Sequence, residues 1–240
     1  MELNCDLGEL EDEPEELFAI ATVANVACGG HAGGGELMRR TLDRARVFAV
    51  RVVAHPSYPD REQFGRRARY STPLAAAAAV ESQCVKLAIE AKRFGFTVDT
   101  IKPHGALYHD AASDPLYAGA LLDAAFRALP EFRSIVGPPD CVLEDIVKGR
   151  GLTYEREGFV DRRYDASMHL VPRSRPDALL TDPEDCVSQA LFLSRLKKFD
   201  TLCMHGDTPG AVRIGRAVRR ALEGAKLLGT PGMRRDRLVR

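Results

Sequence analysis

Seven short apolar runs, each followed by a longer stretch of mostly helical pattern, set the frame for this chain. Strands are predicted over Glu2 to Cys5, Val23 to Ala27, Arg51 to Ala54, Thr100 to Lys102, Ser134 to Val136, Thr153 to Glu157 and Thr201 to Met204. Helices are predicted over Gly35 to Ala49, Pro73 to Phe94, Pro115 to Leu129, Cys141 to Lys148, Pro183 to Leu196 and Pro209 to Leu222. Four helix starts share one design: Thr72-Pro73, Asp114-Pro115, Asp182-Pro183 and Thr208-Pro209. The first residue offers an oxygen to a free backbone N–H, and the proline has no N–H to leave unpaired.

Strand–helix alternation builds a parallel sheet covered by helices. About seven units fit an open doubly wound sheet or a (β/α) barrel. Polar residues follow six of the strands: Asp6 with Glu9, then His31, His55, His104, Asp161 and His205. An open sheet gathers its ligand at one switch point, whereas a barrel gathers side chains from nearly every strand end. The expectation is therefore one barrel domain over residues 1–228, with a basic, non-periodic tail over 229–240.

Composition closes off other classes. Lys+Arg and Asp+Glu both total 34, so bulk charge attracts neither nucleic acid nor membrane. No apolar stretch is long enough to span a bilayer, and the acidic N-terminal stretch lacks a signal-peptide pattern, so a cytoplasmic location is expected. The six cysteines show no C-x-x-C spacing and read as buried small hydrophobes. Only Cys5 and Cys28 sit beside motif residues.

Each motif has a bland reading and a functional one. In "LNCDLGE", Asn4 and Asp6 share one strand face, with Glu9 just beyond; an Asp or Asn turn explains the same residues. In "NVACGGHAGGGE" the glycines form a tight turn or an anion cradle, and no Gly-Lys-Ser/Thr follows to make it a Walker loop. "AHPSYPDREQFGRR" is a long, proline-bearing loop; Arg66 and Arg67 suit an anion or plain solvent. In "KPHGALY", Lys102 and His104 stand two apart, with Tyr108 at the next element. "MHGD" pairs His205 with Asp207, and "FVDRRYD" adds Asp161, Arg163 and Tyr164. His109 and His169 read as surface or structural. Converging imidazoles and carboxylates suit a divalent metal site, with Asp6, His31 and His55 as one candidate set, or metal-free acid/base work.

These motifs, with "LVPRS" and "DTPGAV", run in order from residue 3 to 212 and resemble the LamB/YcsF family, the A subunit of prokaryotic 5-oxoprolinase. The resemblance implies an irregular seven-stranded, TIM-like (β/α) barrel, similar to glycoside hydrolase and deacetylase barrels. It implies ATP-dependent opening of the 5-oxo-L-proline lactam to L-glutamate, with subunits B and C as partners. A homo-oligomer stays open. ATP is the implied cofactor, and a divalent cation such as Mg is a further candidate. On that reading Asp6, His55, His104 and His205 are catalytic. Asn4, Glu9, His31, Arg66, Lys102, Tyr108, Asp161 and Asp207 bind substrate or phosphate. Two alternatives stand beside it: a metal-dependent deacetylase or amidohydrolase, and a non-catalytic substrate-binding subunit. The chain departs from the family pattern at Gly30 (usually Phe), at Gly34 (usually Asp) and at Ser167-Met168 (usually Asp-Gly). The segment from Glu9 to Asn25 is shortened.

Overall fold

The computed structural model describes residues 1–68 and 71–229. Seven parallel strands close into a barrel in sequence order: β1 (Glu2–Leu7), β2 (Val23–Ala27), β3 (Arg51–His55), β4 (Thr100–Ile101), β5 (Ser134–Gly137), β6 (Thr153–Phe159) and β7 (Thr201–His205). The helices are α1 (Glu16–Ile20), α2 (Gly35–Val47), α3 (Pro73–Arg93), α4 (Gly105–Ser113), α5 (Pro115–Ala128), α6 (Val142–Gly149), α7 (Pro183–Arg195) and α8 (Ala211–Gly224). β1 closes the ring by pairing with both β2 and β7, which sets Asp6 beside Asn25 on one side and His205 on the other. The barrel is irregular at β4, which is only two residues long.

Strand alternation sorts the side chains into two layers. Leu3, Cys5, Leu7, Ala24, Val26, Val52, Ala54, Ile101, Leu202 and Met204 face outward and join the helices in one apolar core. Burying each such leucine fully contributes about 2 kcal/mol. The opposite parity carries the polar strand residues: Asn4, Asp6, Asn25, Glu157 and Thr201 are all buried, with Cys203 and apolar Val23, Ala27 and Val53 in the same phase.

Three of the four predicted helix starts hold. Thr72 Oγ1 accepts from Ala75 N at 3.3 Å, Asp114 Oδ1 from Leu116 N at 2.9 Å, and Asp182 Oδ1 from Glu184 N at 2.7 Å. The fourth is corrected: α8 begins at Ala211 behind a left-handed Gly210, with φ 79°. Thr208 instead donates its hydroxyl to Asp161 Oδ2 at 2.7 Å, so a residue that reads as a cap belongs to the barrel mouth. Two short helices, α1 and α4, are missing from the sequence reading; neither has a side-chain cap to announce it. The tail expected from Gly229 lies, beyond that residue, outside the described residues. Among the described residues no helix is long and apolar enough to cross a membrane.

Candidate active site

The site lies at the C-terminal ends of the strands and is built from the barrel axis upward. Asn25 Nδ2 donates to Asn4 Oδ1 at 2.7 Å and to Asp6 Oδ1 at 2.8 Å, and Asn4 Nδ2 donates to Thr201 Oγ1 at 2.8 Å. Above them Lys102, just past β4, points its ammonium into the axis. Its Nζ lies 2.6 Å from Asp6 Oδ1, 3.0 Å from Cys203 Sγ and 3.0 Å from Glu157 Oε1. Burial opposes this charge, but Asp6, Cys203 and Glu157 outweigh it and hold Lys102 well above the usual lysine range. Burial opposes the charge on Asp6 as well; His55 and Lys102 win, and Asp6 is held well below the usual carboxylate range. One ammonium cannot neutralise two buried carboxylates, and burial pushes Glu157 up despite Lys102.

A second cluster surrounds the glycine loop. The Glu9 carboxylate turns back under the mouth and lies 2.7 Å from His31 Nε2, 3.4 Å from His104 Nδ1 and 3.7 Å from His55 Nε2. The His31 and His104 rings stack at 3.6 Å, with 1° between their planes. Hydrogen-bond partners fix two tautomers. His55 Nδ1 contacts Lys102 O at 2.8 Å and His104 Nε2 contacts Phe64 O at 3.0 Å; carbonyls only accept, so both nitrogens carry the proton. The other nitrogens, His55 Nε2 and His104 Nδ1, then face each other at 3.0 Å. In neutral rings both carry lone pairs, so a proton or a metal cation must lie between them. Burial pulls His31 down to about 3, and burial with His31 and His55 nearby pulls His104 well below its usual value. Burial and then Asp6 push Glu9 up to about 7. Neutral imidazoles beside an anion short of positive charge are a fitting donor set for a divalent metal.

The third part is an oriented imidazole. Asp161 Oδ1 accepts from His205 Nδ1 at 2.9 Å, while Oδ2 accepts from His205 N at 2.9 Å and from the Thr208 hydroxyl. Burial works against the His205 cation, but Asp161 outweighs it and raises the pKa. The same contacts hold Asp161 below the usual range against its burial. The His205 ring stacks on Phe159 at 5.5 Å. The cavity over these groups encloses about 390 Å³ and is also lined by Arg66, Tyr108, Phe159, Arg162 and Arg173. The Tyr108 hydroxyl is buried there without a hydrogen-bond partner. Arg66 Nη2 reaches Asp207 Oδ2 at 3.0 Å across the rim.

The structure regroups several sequence expectations. Asp6, His31 and His55 do not form one donor set: His31 and His55 group with Glu9 and His104, whereas Asp6 groups with Cys203 and His205. The Cys5 and Cys28 thiols turn onto backbone carbonyls of Asp6 and Val26, and Cys203 is the cysteine among the charged groups. Arg67 is exposed and does not line the cavity. Arg163 donates to Asp177 O outside the site, and its neighbour Arg162 lines the cavity instead. His109, expected to be surface or structural, is exposed on the cavity rim, and His169 is exposed beside Asp165. Glu157, Cys203 and Arg162 escape the sequence reading. In-phase spacing with Phe159 and with His205 was the available signal for the first two. At Gly30, Ser57 and the Gln83 amide occupy the space a Cβ would take, so the phenylalanine usual there has no room.

With the geometry in hand, the comparisons are specific. A family model described as LamB/YcsF family matches residues 1–234. A curated relative from Chloroflexus aggregans, named as the A subunit of 5-oxoprolinase, is 40% identical, covering 94% of this chain and 96% of the relative. A relative of the same name from Streptomyces avermitilis is 39% identical, covering 93% and 96%. The crystal structure of a lactam utilization protein from Thermus thermophilus superposes with a TM-score of 0.86 at 34% identity, covering 94% of this chain and 97% of that one.

Proposed function

Because the chain belongs to the LamB/YcsF family, we propose that it is the A subunit of a 5-oxoprolinase, opening the lactam of 5-oxo-L-proline to L-glutamate with ATP and two further subunits, B and C. The observation that carries this reading is the match to relatives of that name over nearly their whole length.

A five-membered lactam is a resonance-stabilised amide with a poor nitrogen leaving group. Phosphoryl transfer from ATP to the amide oxygen makes the carbon electrophilic; water then adds, the ring nitrogen departs with a proton to leave an acyl phosphate, and a second water releases phosphate and the free carboxylate. Among this chain's residues, His205 is the acid for that nitrogen: Asp161 fixes its Nδ1 and favours its charged form, leaving Nε2 as the free ring atom. Asp6 Oδ1 is occupied by Lys102 and Asn25, and Oδ2, 3.3 Å from His55 Nε2, is the oxygen that orients the attacking water. Arg66 and Lys102 supply positive charge for developing anionic oxygens. Glu9, His31, His55 and His104 would hold a divalent cation, which when bound supplies a Lewis acid for an oxygen at the mouth. The sequence lacks a Walker motif, so the nucleotide site of this reading is either non-standard or completed by the partner subunits.

The test is to co-express this chain with its B and C partners and measure glutamate released from 5-oxoproline with and without ATP. The reading expects ATP-dependent release. Equal release without nucleotide would remove the ATP coupling, and no release at all from the assembled enzyme would remove the lactam reading.

A further inference from the structure

The cavity mouth carries more positive charge than its own carboxylates neutralise. Arg66 Nη2 and Arg173 Nη1 both lean on Asp207 Oδ2, at 3.0 and 3.5 Å, so one carboxylate serves two guanidinium groups. Arg162 has none. It is only 7% exposed, its Nη2 donates to the backbone oxygen of Val171 at 2.7 Å, and its Nε is buried without an acceptor. The adjacent Asp161 is already committed to His205 and Thr208. Burial, followed by repulsion from Arg173, pulls the Arg162 pKa down to about 10. A buried cation without a counter-ion is costly, and the usual compensation is a carboxylate partner. Among the described residues no such partner reaches it, which leaves the cavity as the place for one.

Resting on the lactam-opening reading, we propose that Arg162, supported by Arg173, is the subsite for the carboxylate of a small carboxylated lactam, orienting its ring amide toward Asp6 and His205. A guanidinium fork presents parallel N–H groups that match the two oxygens of a carboxylate. Phe159, Leu170 and Pro172 line the same cavity and supply apolar contact for ring methylenes. The arrangement puts recognition on the loop after β6 and chemistry on the strand ends. It makes the negative charge of the substrate, rather than the lactam alone, the feature selected.

Two measurements decide it. In the assembled enzyme, Arg162→Gln is expected to raise KM for 5-oxoproline about ten- to a hundredfold with kcat within about threefold. KM for the neutral lactam pyrrolidin-2-one stays put, and Arg162→Lys falls between. The exposed neighbour Arg163→Gln is expected to match wild type. In the isolated full chain, binding of cyclopentanecarboxylate is expected to weaken at least about tenfold in Arg162→Gln. Unchanged KM and unchanged cyclopentanecarboxylate binding would overturn the proposal, as would a variant that loses inorganic phosphate binding but keeps the carboxylate. If Arg162→Gln fails to fold, Arg173→Gln decides with the same readouts. The two readings fail separately: a wild-type assembly that ignores 5-oxoproline removes the lactam reaction, while Arg162-dependent carboxylate binding by the chain would still stand.

Discussion

Among the described residues the barrel mouth holds two clusters of metal-capable side chains, and they differ in how their negative charge is met. Around Asp6, Cys203 and His205 the chain supplies its own cation, the Lys102 ammonium, at 2.6 Å from Asp6. Around Glu9, His31, His55 and His104 no ammonium or guanidinium among the described residues pairs with the carboxylate, and two imidazole nitrogens, both lone-pair bearing in neutral rings, face each other at 3.0 Å. The first cluster carries its own counter-charge. The second is complete only with a proton or a metal between its members. Their shared wall is the 3.3 Å contact between His55 Nε2 and Asp6 Oδ2, through which charge in one cluster is felt in the other.

The comparison breaks most visibly at Lys102. Lys102→Met strands Asp6 and Glu157 as buried carboxylates, and chemical denaturation should show a loss on the order of 3–5 kcal/mol. A variant as stable as wild type would mean that the lysine is not the internal cation. Next comes the histidine cluster. A divalent ion should co-purify at about one per chain and be lost in His55→Ala, since removing one of a few ligands costs metal affinity steeply. Metal content indifferent to His55, read by elemental analysis, would leave the proton as the bridging group.

Smaller effects sharpen the same contrast. Cys203 receives one hydrogen bond from Lys102, and burial pushes its thiol well above the usual range, which disfavours a thiolate nucleophile. Cys203→Ala should therefore keep turnover within about tenfold of wild type; abolished turnover would point to covalent catalysis. The mildest effect concerns Glu13, which accepts from Gly8 N at 2.8 Å beside the Glu9 turn. Burial, opposed by that bond, pushes it up to about 7. Its folded pKa is above its unfolded value, so the folded state binds the extra proton between about pH 4.5 and 7. Stability from this group is present below that window and lost as pH rises through it. Wild type should thus lose more Tm between pH 5 and pH 8 than Glu13→Gln; parallel curves would refute the assignment.

Much of this arrangement is legible in the sequence, because strand parity and strand-end position are local properties. Asp6, His55, His104 and His205 each stand at or just past a strand end, and the barrel brings them to one mouth. What escaped depends on contacts distant in sequence. Glu157 matters because Lys102, fifty-five positions earlier, points at it. Cys203 reads as one more buried apolar residue until Lys102 and Asp6 surround it. Parity also misleads once a strand has ended: β6 stops at Phe159, so alternation selects Arg163 where the loop turns Arg162 inward. Thr208 misleads in another way, since its Pro neighbour suggests a cap while its hydroxyl serves Asp161. Gly105 is required in the structure for a firm reason. Its φ is 58°, and a Cβ there would strike the Gly65 carbonyl, so the turn that aims Lys102 and His104 tolerates no side chain.

The central claim is that lactam opening happens where these clusters meet. The most direct measurement is ATP-dependent glutamate release by the assembled enzyme carrying Asp6→Ala or His104→Ala, each compared with wild type. The account predicts that each substitution lowers turnover by about a hundredfold or more. Full turnover in both variants would place the chemistry elsewhere.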